Sequence, residues 1–114
     1  MLVLEPDDEV RELLRRVLVR LGHEALAPAT VPTGKLPDLN AVFLEPAWRP
    51  ALELAQALKA KNARLPVVFE SIELGSGREA DLNPVRYLVK PFALADLEEA
   101  IAAALRSTHG EKTR

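Results

Sequence analysis

The alternation of short apolar segments with stretches of helical spacing is the feature that most constrains the fold of this chain. The segments with strand character cover residues 2–4, 24–27, 41–44, 66–69 and 85–89. Apolar runs this short suit buried strands better than helices. Strands that alternate with helices build βαβ units, so the sequence predicts an α/β fold whose parallel sheet is covered by helices on both faces.

Helical periodicity occurs in three parts of the chain. After Asp7 and Asp8, which are candidate N-caps, apolar residues recur at helical spacing until Gly22, a glycine suited to end a helix. Two further helices are predicted over residues 51–61 and 94–105. Each predicted helix therefore lies between two predicted strands or after the last one.

Polar and charged residues follow the predicted strands at the end where each strand finishes. In a parallel sheet these ends share one edge, which is where open α/β folds bind ligands. The residues placed there are Glu5 to Asp7, Glu45, Ser71 and Lys90. A small ligand binder or enzyme that uses the same edge is disfavoured, because the sequence has no glycine-rich phosphate loop after the first strand and no G-x-S-x-G motif.

Composition excludes several other classes of protein. The net charge of −2 offers no basic surface for nucleic acid or anionic membranes. The absence of cysteine excludes a disulfide framework and thiolate chemistry. The acidic N-terminal segment lacks the basic start of a secretory signal, and no apolar stretch reaches membrane-spanning length. We expect a cytoplasmic domain with neither nucleic-acid nor membrane partners.

Four short motifs, in order along the chain, resemble those of the receiver domain of two-component response regulators. They are LVLEPDD at the first strand, AVFLE at the third, VVFES at the fourth and YLVKPF at the fifth. The resemblance covers residues 1–106 and leaves residues 107–114 as a polar C-terminal tail. It implies a flavodoxin-like, three-layer fold with a five-stranded parallel sheet in the order 2-1-3-4-5.

The resemblance also implies roles for individual residues. In receiver domains an aspartate ending the third strand accepts a phosphoryl group, whose oxygens are held by a Ser or Thr, a Lys and a divalent cation. Glu45 stands at the phosphoacceptor position, and Ser71 and Lys90 stand at the phosphoryl-contact positions. Tyr87 matches the switch aromatic, and Pro91 is the candidate for a cis peptide bond.

The sequence departs from this family at two positions that the phosphoryl chemistry needs. Glu45 is one methylene longer than aspartate, which displaces the nucleophilic oxygen, and in-line attack tolerates little misplacement. Pro6 stands where a cation-binding aspartate is usual, which leaves Glu5, Asp7 and Glu45 as candidate metal ligands. We therefore predict no cofactor, Mg²⁺ binding that is weak at most, and no phosphorylation.

Two stretches are shorter than is usual in the family. Residues 28–40 contain three prolines and a glycine, so the second helix is expected to be missing or reduced. Residues 71–84 contain two glycines and a proline, which reduces the fourth helix. Because that helix often belongs to the signalling surface in this family, we expect the partner surface to be altered as well.

The sequence thus predicts an atypical receiver, or pseudo-receiver, that is not an enzyme. It would act through protein–protein contact in phosphorelay-type signal transduction, with a kinase, an output protein or another signalling protein as its partner. The alternative is a functional phosphoacceptor receiver that uses Glu45 or Asp7 with Mg²⁺.

Each singled-out residue also has a simpler structural interpretation. Glu45 either imitates the phosphorylated state or forms an ordinary ion pair with Lys90, and Asp7 either binds a metal or caps the first helix. Ser71 and Tyr87 either form a switch pair or have local roles, with Ser71 beginning a loop and Tyr87 packing at the sheet edge. A homodimer is predicted through a charged face that carries Arg86, Asp96, Glu99 and Arg106.

Overall fold

The structure, a computed structural model, describes residues 1–71 and 82–112. Strands and helices alternate along this part of the chain, as the sequence predicts. The elements are β1 (Leu2–Leu4), α1 (Asp8–Arg20), β2 (Val42–Leu44), α2 (Arg49–Lys61), β3 (Val67–Ser71), β4 (Arg86–Val89) and α3 (Leu94–Lys112).

The sheet is parallel and has the order β1-β2-β3-β4. Side chains alternate between its two faces. In β1, β2 and β3 the residues of both faces are buried, which explains why these strands are almost continuously apolar. Helices α1 and α3 cover the face that carries Val3, Phe43 and Val68. Helix α2 and part of residues 28–40 cover the opposite face. The result is a three-layer α/β fold.

The prediction of a five-stranded sheet is wrong for the described residues, which form four strands. The predicted second strand, residues 24–27, makes only an isolated parallel bridge between Leu26 and Leu2. Its backbone hydrogen bonds join Leu26 to Met1 and Val3, both at 2.8 Å. The bridge lies beside β1, on the edge that the predicted order assigns to this strand. Pro28 follows at once, and proline cannot donate to a sheet ladder, so pairing stops.

Helix α1 forms as the local sequence predicts. Asp7 is its N-cap, and Gly22, just beyond its C-terminus, has a φ of 91°, a conformation that glycine adopts without strain. Helix α2 begins at Arg49, two residues before the predicted start, because Pro50 is accommodated in the first turn of a helix.

The irregular parts of the chain also bear on the predictions. Residues 28–40 contain no helix, as their prolines predict. The predicted short helix within residues 71–84 falls mostly outside the described residues. Helix α3 continues to Lys112, past the boundary predicted at residue 106. In residues 1–71 and 82–112, no helix is both long and apolar enough to cross a membrane.

Candidate functional site

Three glutamates form a row across the carboxyl edge of the sheet. Glu5 follows β1, Glu45 follows β2, and Glu70 lies within β3. The strand register aligns the residues directly before them, which are Leu4, Leu44 and Phe69. Adjacent strands lie about 4.8 Å apart, so one step further along the register brings the three carboxyl-bearing residues side by side. Alternation turns all three toward the face covered by α1 and α3.

Lys90, which follows β4, supplies the positive charge for this row. Its Nζ lies 2.5 Å from Glu5 Oε1, 3.1 Å from Glu45 Oε1 and 3.3 Å from Glu70 Oε2. The contacts with Glu5 and Glu45 are hydrogen bonds that the ammonium donates, whereas the contact with Glu70 is an ion contact without a hydrogen bond. The Lys90 side chain is only 14% exposed, and those of Glu5, Glu45 and Glu70 are 1%, 9% and 0% exposed. The four residues are called the carboxyl-edge cluster below.

Backbone amides distinguish two of the glutamates from the third. Glu5 Oε2 accepts a hydrogen bond from the backbone N–H of Asp7 at 2.7 Å, and Glu45 Oε2 accepts one from Ala47 at 3.0 Å. In the described part of the chain neither carboxyl oxygen of Glu70 has a hydrogen-bond partner, from a backbone amide or from a side chain. Hydrogen bonds from backbone amides favour the ionised form of a carboxyl group, so Glu70 lacks a stabilisation that the other two receive.

The environment of Glu70 raises its pKa from 4.5 to about 10. Burial is the largest cause, and the neighbouring Glu5 carboxyl group adds to it, while Lys90 acts in the opposite direction. Glu70 is therefore a neutral carboxylic acid at pH 7. Burial by itself would lower the pKa of Lys90, but its contacts with the three carboxyl groups raise that pKa above its ordinary value. Lys90 thus remains a cation.

The candidate metal ligands already have other hydrogen-bond partners in the structure. Asp7 Oδ1 accepts hydrogen bonds from Glu9 and Val10 at 2.9 and 3.1 Å, which makes Asp7 the cap of α1. The side-chain oxygens of Glu5 and Glu45 are directed at Lys90 and at backbone amides. In the ranges 1–71 and 82–112, no group of three His, Cys, Asp or Glu residues is arranged to hold a metal ion. Weak Mg²⁺ binding stays a prediction.

The other residues assigned by resemblance lie around the cluster. The backbone carbonyl of Ser71 accepts a hydrogen bond from the backbone N–H of Lys90 at 2.7 Å, and strand alternation places the Ser71 side chain on the opposite face from Glu70. The ring of Tyr87 packs edge-to-face against Phe69, with 5.6 Å between centroids. The peptide bond between Lys90 and Pro91 is cis. The proposed switch roles of Ser71 and Tyr87 stay predictions.

The charged face predicted for a homodimer is paired within the chain. Arg86 makes two hydrogen bonds to Glu99, at 2.7 and 3.1 Å, and Arg106 makes a third at 3.2 Å. Asp96 accepts a hydrogen bond from the backbone N–H of Ala93 at the start of α3. Exposed pairs of this kind contribute little to stability. Dimerisation through this face stays a prediction.

Glu70 is the site residue that the sequence reasoning missed. The pattern of polar residues at strand ends indicates Ser71, one position later, as the site residue of this strand. The available signal was the two-residue alternation, because Glu70 shares the phase of Val68 and so cannot face the same layer as Phe69. An ionisable residue in a strand buried on both faces is rarely without a charged neighbour, and Lys90 lies 3.3 Å from Glu70.

Comparison with known proteins agrees with this fold. No family model matches the sequence. Response regulator MprA of Mycobacterium avium is 32% identical over 119 aligned residues, which cover 96% of this chain and 52% of the relative. MprA of Mycobacterium tuberculosis gives the same identity and coverage. The chain thus spans about half the length of the curated relatives it matches.

Solved structures of receiver domains have the same fold as this chain. A CheY-like response regulator receiver domain protein from Methanospirillum hungatei superposes with a TM-score of 0.77 at 18% identity, over 96% of this chain and 95% of that one. The receiver domain of NtrX from Brucella abortus gives 0.67 at 22% identity, over 92% and 97%. The sequence relatives and the shared fold together show that this chain is a receiver domain of the response-regulator type.

Proposed function

We propose that this domain is an atypical receiver that is not phosphorylated and that acts by binding other signalling proteins. The observation that carries the proposal is the engagement of Lys90 by three buried glutamates: its ammonium donates hydrogen bonds to Glu5 and Glu45 and lies 3.3 Å from Glu70 Oε2. The resemblance assigns Lys90 the task of holding a phosphoryl oxygen. Here, a phosphoryl oxygen would have to compete with these carboxyl groups for the ammonium.

The charge of the site also opposes a phosphoryl group. A phosphoryl group brings about −1.5 to −2 charges at pH 7, into a place where Glu5 and Glu45 already hold Lys90. Pro6 has no side-chain oxygen for a cation that could offset this charge. Glu45 also has one oxygen held by the backbone of Ala47 and the other by Lys90, so neither is directed at an incoming group.

A receiver domain that is not phosphorylated can still act by binding other proteins. The relatives that match over this chain are response regulators, and we propose a kinase or an output protein as the partner. The surface of β4 and α3 around Arg86 and Glu99 is our candidate contact face, with a second copy of the chain as one occupant. The cytoplasmic location predicted from the sequence belongs to the same proposal.

The test is an amide NMR titration of the domain, first with Mg²⁺ and then with beryllofluoride, a phosphoryl mimic. We expect the signals of Glu45, Ser71 and Lys90 to keep their positions. Shifts at these residues, followed by a shift at Tyr87, would show that the pocket still accepts a phosphoryl group and would refute the proposal. The double variant Pro6→Asp, Glu45→Asp restores the usual residues and shows what a response to the two reagents looks like in this fold.

A further inference from the structure

The two faces of the sheet are covered differently. Helices α1 and α3 pack on one face, whereas α2 and part of residues 28–40 pack on the other. The three prolines of residues 28–40 prevent a helix there, so α2 has an irregular segment beside it. A groove lies between this segment, at residues 34–39, and the C-terminal half of α2.

Leucine side chains form both walls of this groove, whose volume is about 330 Å³. One wall is the irregular segment, with Leu36 and Leu39. The other wall is a stripe at helical spacing on α2, made by Leu54, Ala57, Leu58 and Lys61. The four leucines are half-buried against the core, whereas Ala57 is exposed. An occupant of the groove would remove more of this apolar surface from water, which favours association.

The surroundings of the groove are positively charged, although the whole chain has a net charge of −2. Residues 54–65 include no acidic residue and three basic ones, Lys59, Lys61 and Arg64. Lys35 and Lys61 line the groove and are exposed, and neither side chain is paired with another residue of the described ranges. Lys59 Nζ binds the backbone carbonyl of Leu65 at 2.7 Å, which places a third ammonium beside the groove. Asp38 is the one acidic residue among those that line it, so an occupant meets more positive than negative charge.

We infer that this groove binds an amphipathic helix of a partner protein, with acidic residues on both sides of its apolar face. The stripe on α2 has the residue spacing by which helices pack on one another, and Ala57 in its middle permits close approach. Lys35 on one wall and Lys61 on the other can pair with the acidic residues of such a helix. The inference rests on the proposed function, in which the domain binds other proteins, and adds a second contact surface to it.

The groove is separate from the other sites of the domain. Lys61 ends α2 and Leu65 precedes β3, so the groove lies at the amino edge of the sheet, opposite the carboxyl-edge cluster. Helix α2 is also on the other face of the sheet from α3, which carries the candidate contact face around Glu99. Binding in the groove is therefore reported by different residues from those that report phosphoryl binding.

The test is an amide NMR titration of the intact domain with a designed peptide of about 15 residues, a length at which a helix can form. Leucines recur at helical spacing in this peptide and glutamates flank them. A second peptide has lysine in place of every glutamate. We expect the glutamate peptide to shift the signals of Leu36, Ala57 and Leu65. The lysine peptide should bind at least about fivefold more weakly, because it is repelled by Lys35 and Lys61.

Two variants, each with a matched control, test the residues of the groove. Ala57→Glu puts a longer, negatively charged side chain into the groove and should weaken binding of the glutamate peptide at least about tenfold. Ala60→Glu adds the same charge at an exposed position of α2 outside the groove and should have little effect. Lys61→Glu should weaken binding about fivefold. Arg20→Glu, in the exposed last turn of α1, should leave binding unchanged.

Several results would overturn the inference. The absence of shifts at millimolar glutamate peptide, or equal binding of the two peptides, would show that the groove does not recognise an acidic helix. Equal losses in Ala57→Glu and Ala60→Glu would place the binding elsewhere. If the signals respond instead to phosphatidylglycerol vesicles, or to concentration of the domain alone, the occupant is a lipid surface or a second copy of the chain. The beryllofluoride titration judges the absence of phosphorylation separately, so the two can fail independently.

Discussion

Replacing Glu70 with glutamine should stabilise the domain at neutral pH, and the gain should grow as the pH rises. In the folded domain Glu70 keeps its proton up to a pKa of about 10, whereas its ordinary pKa is 4.5. Between these values the folded state holds one proton more than the unfolded state. The stability of the wild-type protein therefore falls as the pH rises through this window. Glutamine carries no such proton, so this loss is absent from the variant.

The size of the effect follows from the shift in pKa. Each pH unit inside the window changes the free energy of unfolding by about 1.4 kcal/mol. At pH 7 the wild-type protein has lost about 3 kcal/mol relative to a permanently neutral side chain at this position. Small domains have a total stability of roughly 5–15 kcal/mol, so the change is large enough to measure.

Urea unfolding followed by circular dichroism at pH 5.5, 7.0 and 8.5 measures the effect. We expect the difference between the Gln variant and the wild-type protein to increase by about 4 kcal/mol across this range. Groups such as the N-terminal amine also titrate here, but they are common to both proteins and cancel. Glu53→Gln, an exposed change on α2, is the matched control and should show no such trend. A difference that stays constant with pH would refute the reasoning.

Two further predictions concern Lys90 and the start of α1. Lys90→Met leaves Glu5 and Glu45 buried without a counter-charge, so it should lower the free energy of urea unfolding at pH 7 by about 3–5 kcal/mol. The exposed change Lys61→Met should alter it by less than about 0.5 kcal/mol, and equal stability of the two variants would contradict the ion-pair assignment. Asp7→Ala removes the N-cap of α1 and should cost about 1 kcal/mol in the same assay. Asp8→Ala, whose side chain is 87% exposed, is its control, and a cost as large as that of Asp7→Ala would show that capping is not the cause.

Local interactions account for the parts of the fold that could be predicted from the sequence. The N-cap at Asp7, the glycine at position 22 and the apolar spacing between them act within a few residues of one another, so α1 could be predicted closely. The prolines of residues 28–40 likewise exclude a helix by their own geometry. The end of α3 could not be predicted in this way, because polar residues near a helix end permit several stopping points.

Pairing between distant segments accounts for the parts that could not be predicted. Residues 24–27 have the strand pattern, yet they form only one bridge, since pairing depends on where the chain must turn after Leu26. The candidate site likewise has features that could be predicted from the sequence and features that could not. Glu5, Glu45 and Lys90 could be placed at one edge of the sheet, because every parallel strand ends there. Their distances, and the presence of Glu70 among them, depend on the register.

The sequence by itself determined that this chain forms alternating strands and helices, with acidic residues and a lysine at the carboxyl ends of the strands. It also determined that the usual acceptor and cation-binding positions hold Glu45 and Pro6. Only the tertiary structure decided that three glutamates lie side by side around one ammonium, and that Glu70 is the one that keeps a proton. The physical reason is that composition and spacing set which side chains are present, whereas strand register and burial set the distances and the dielectric environment on which their charges depend.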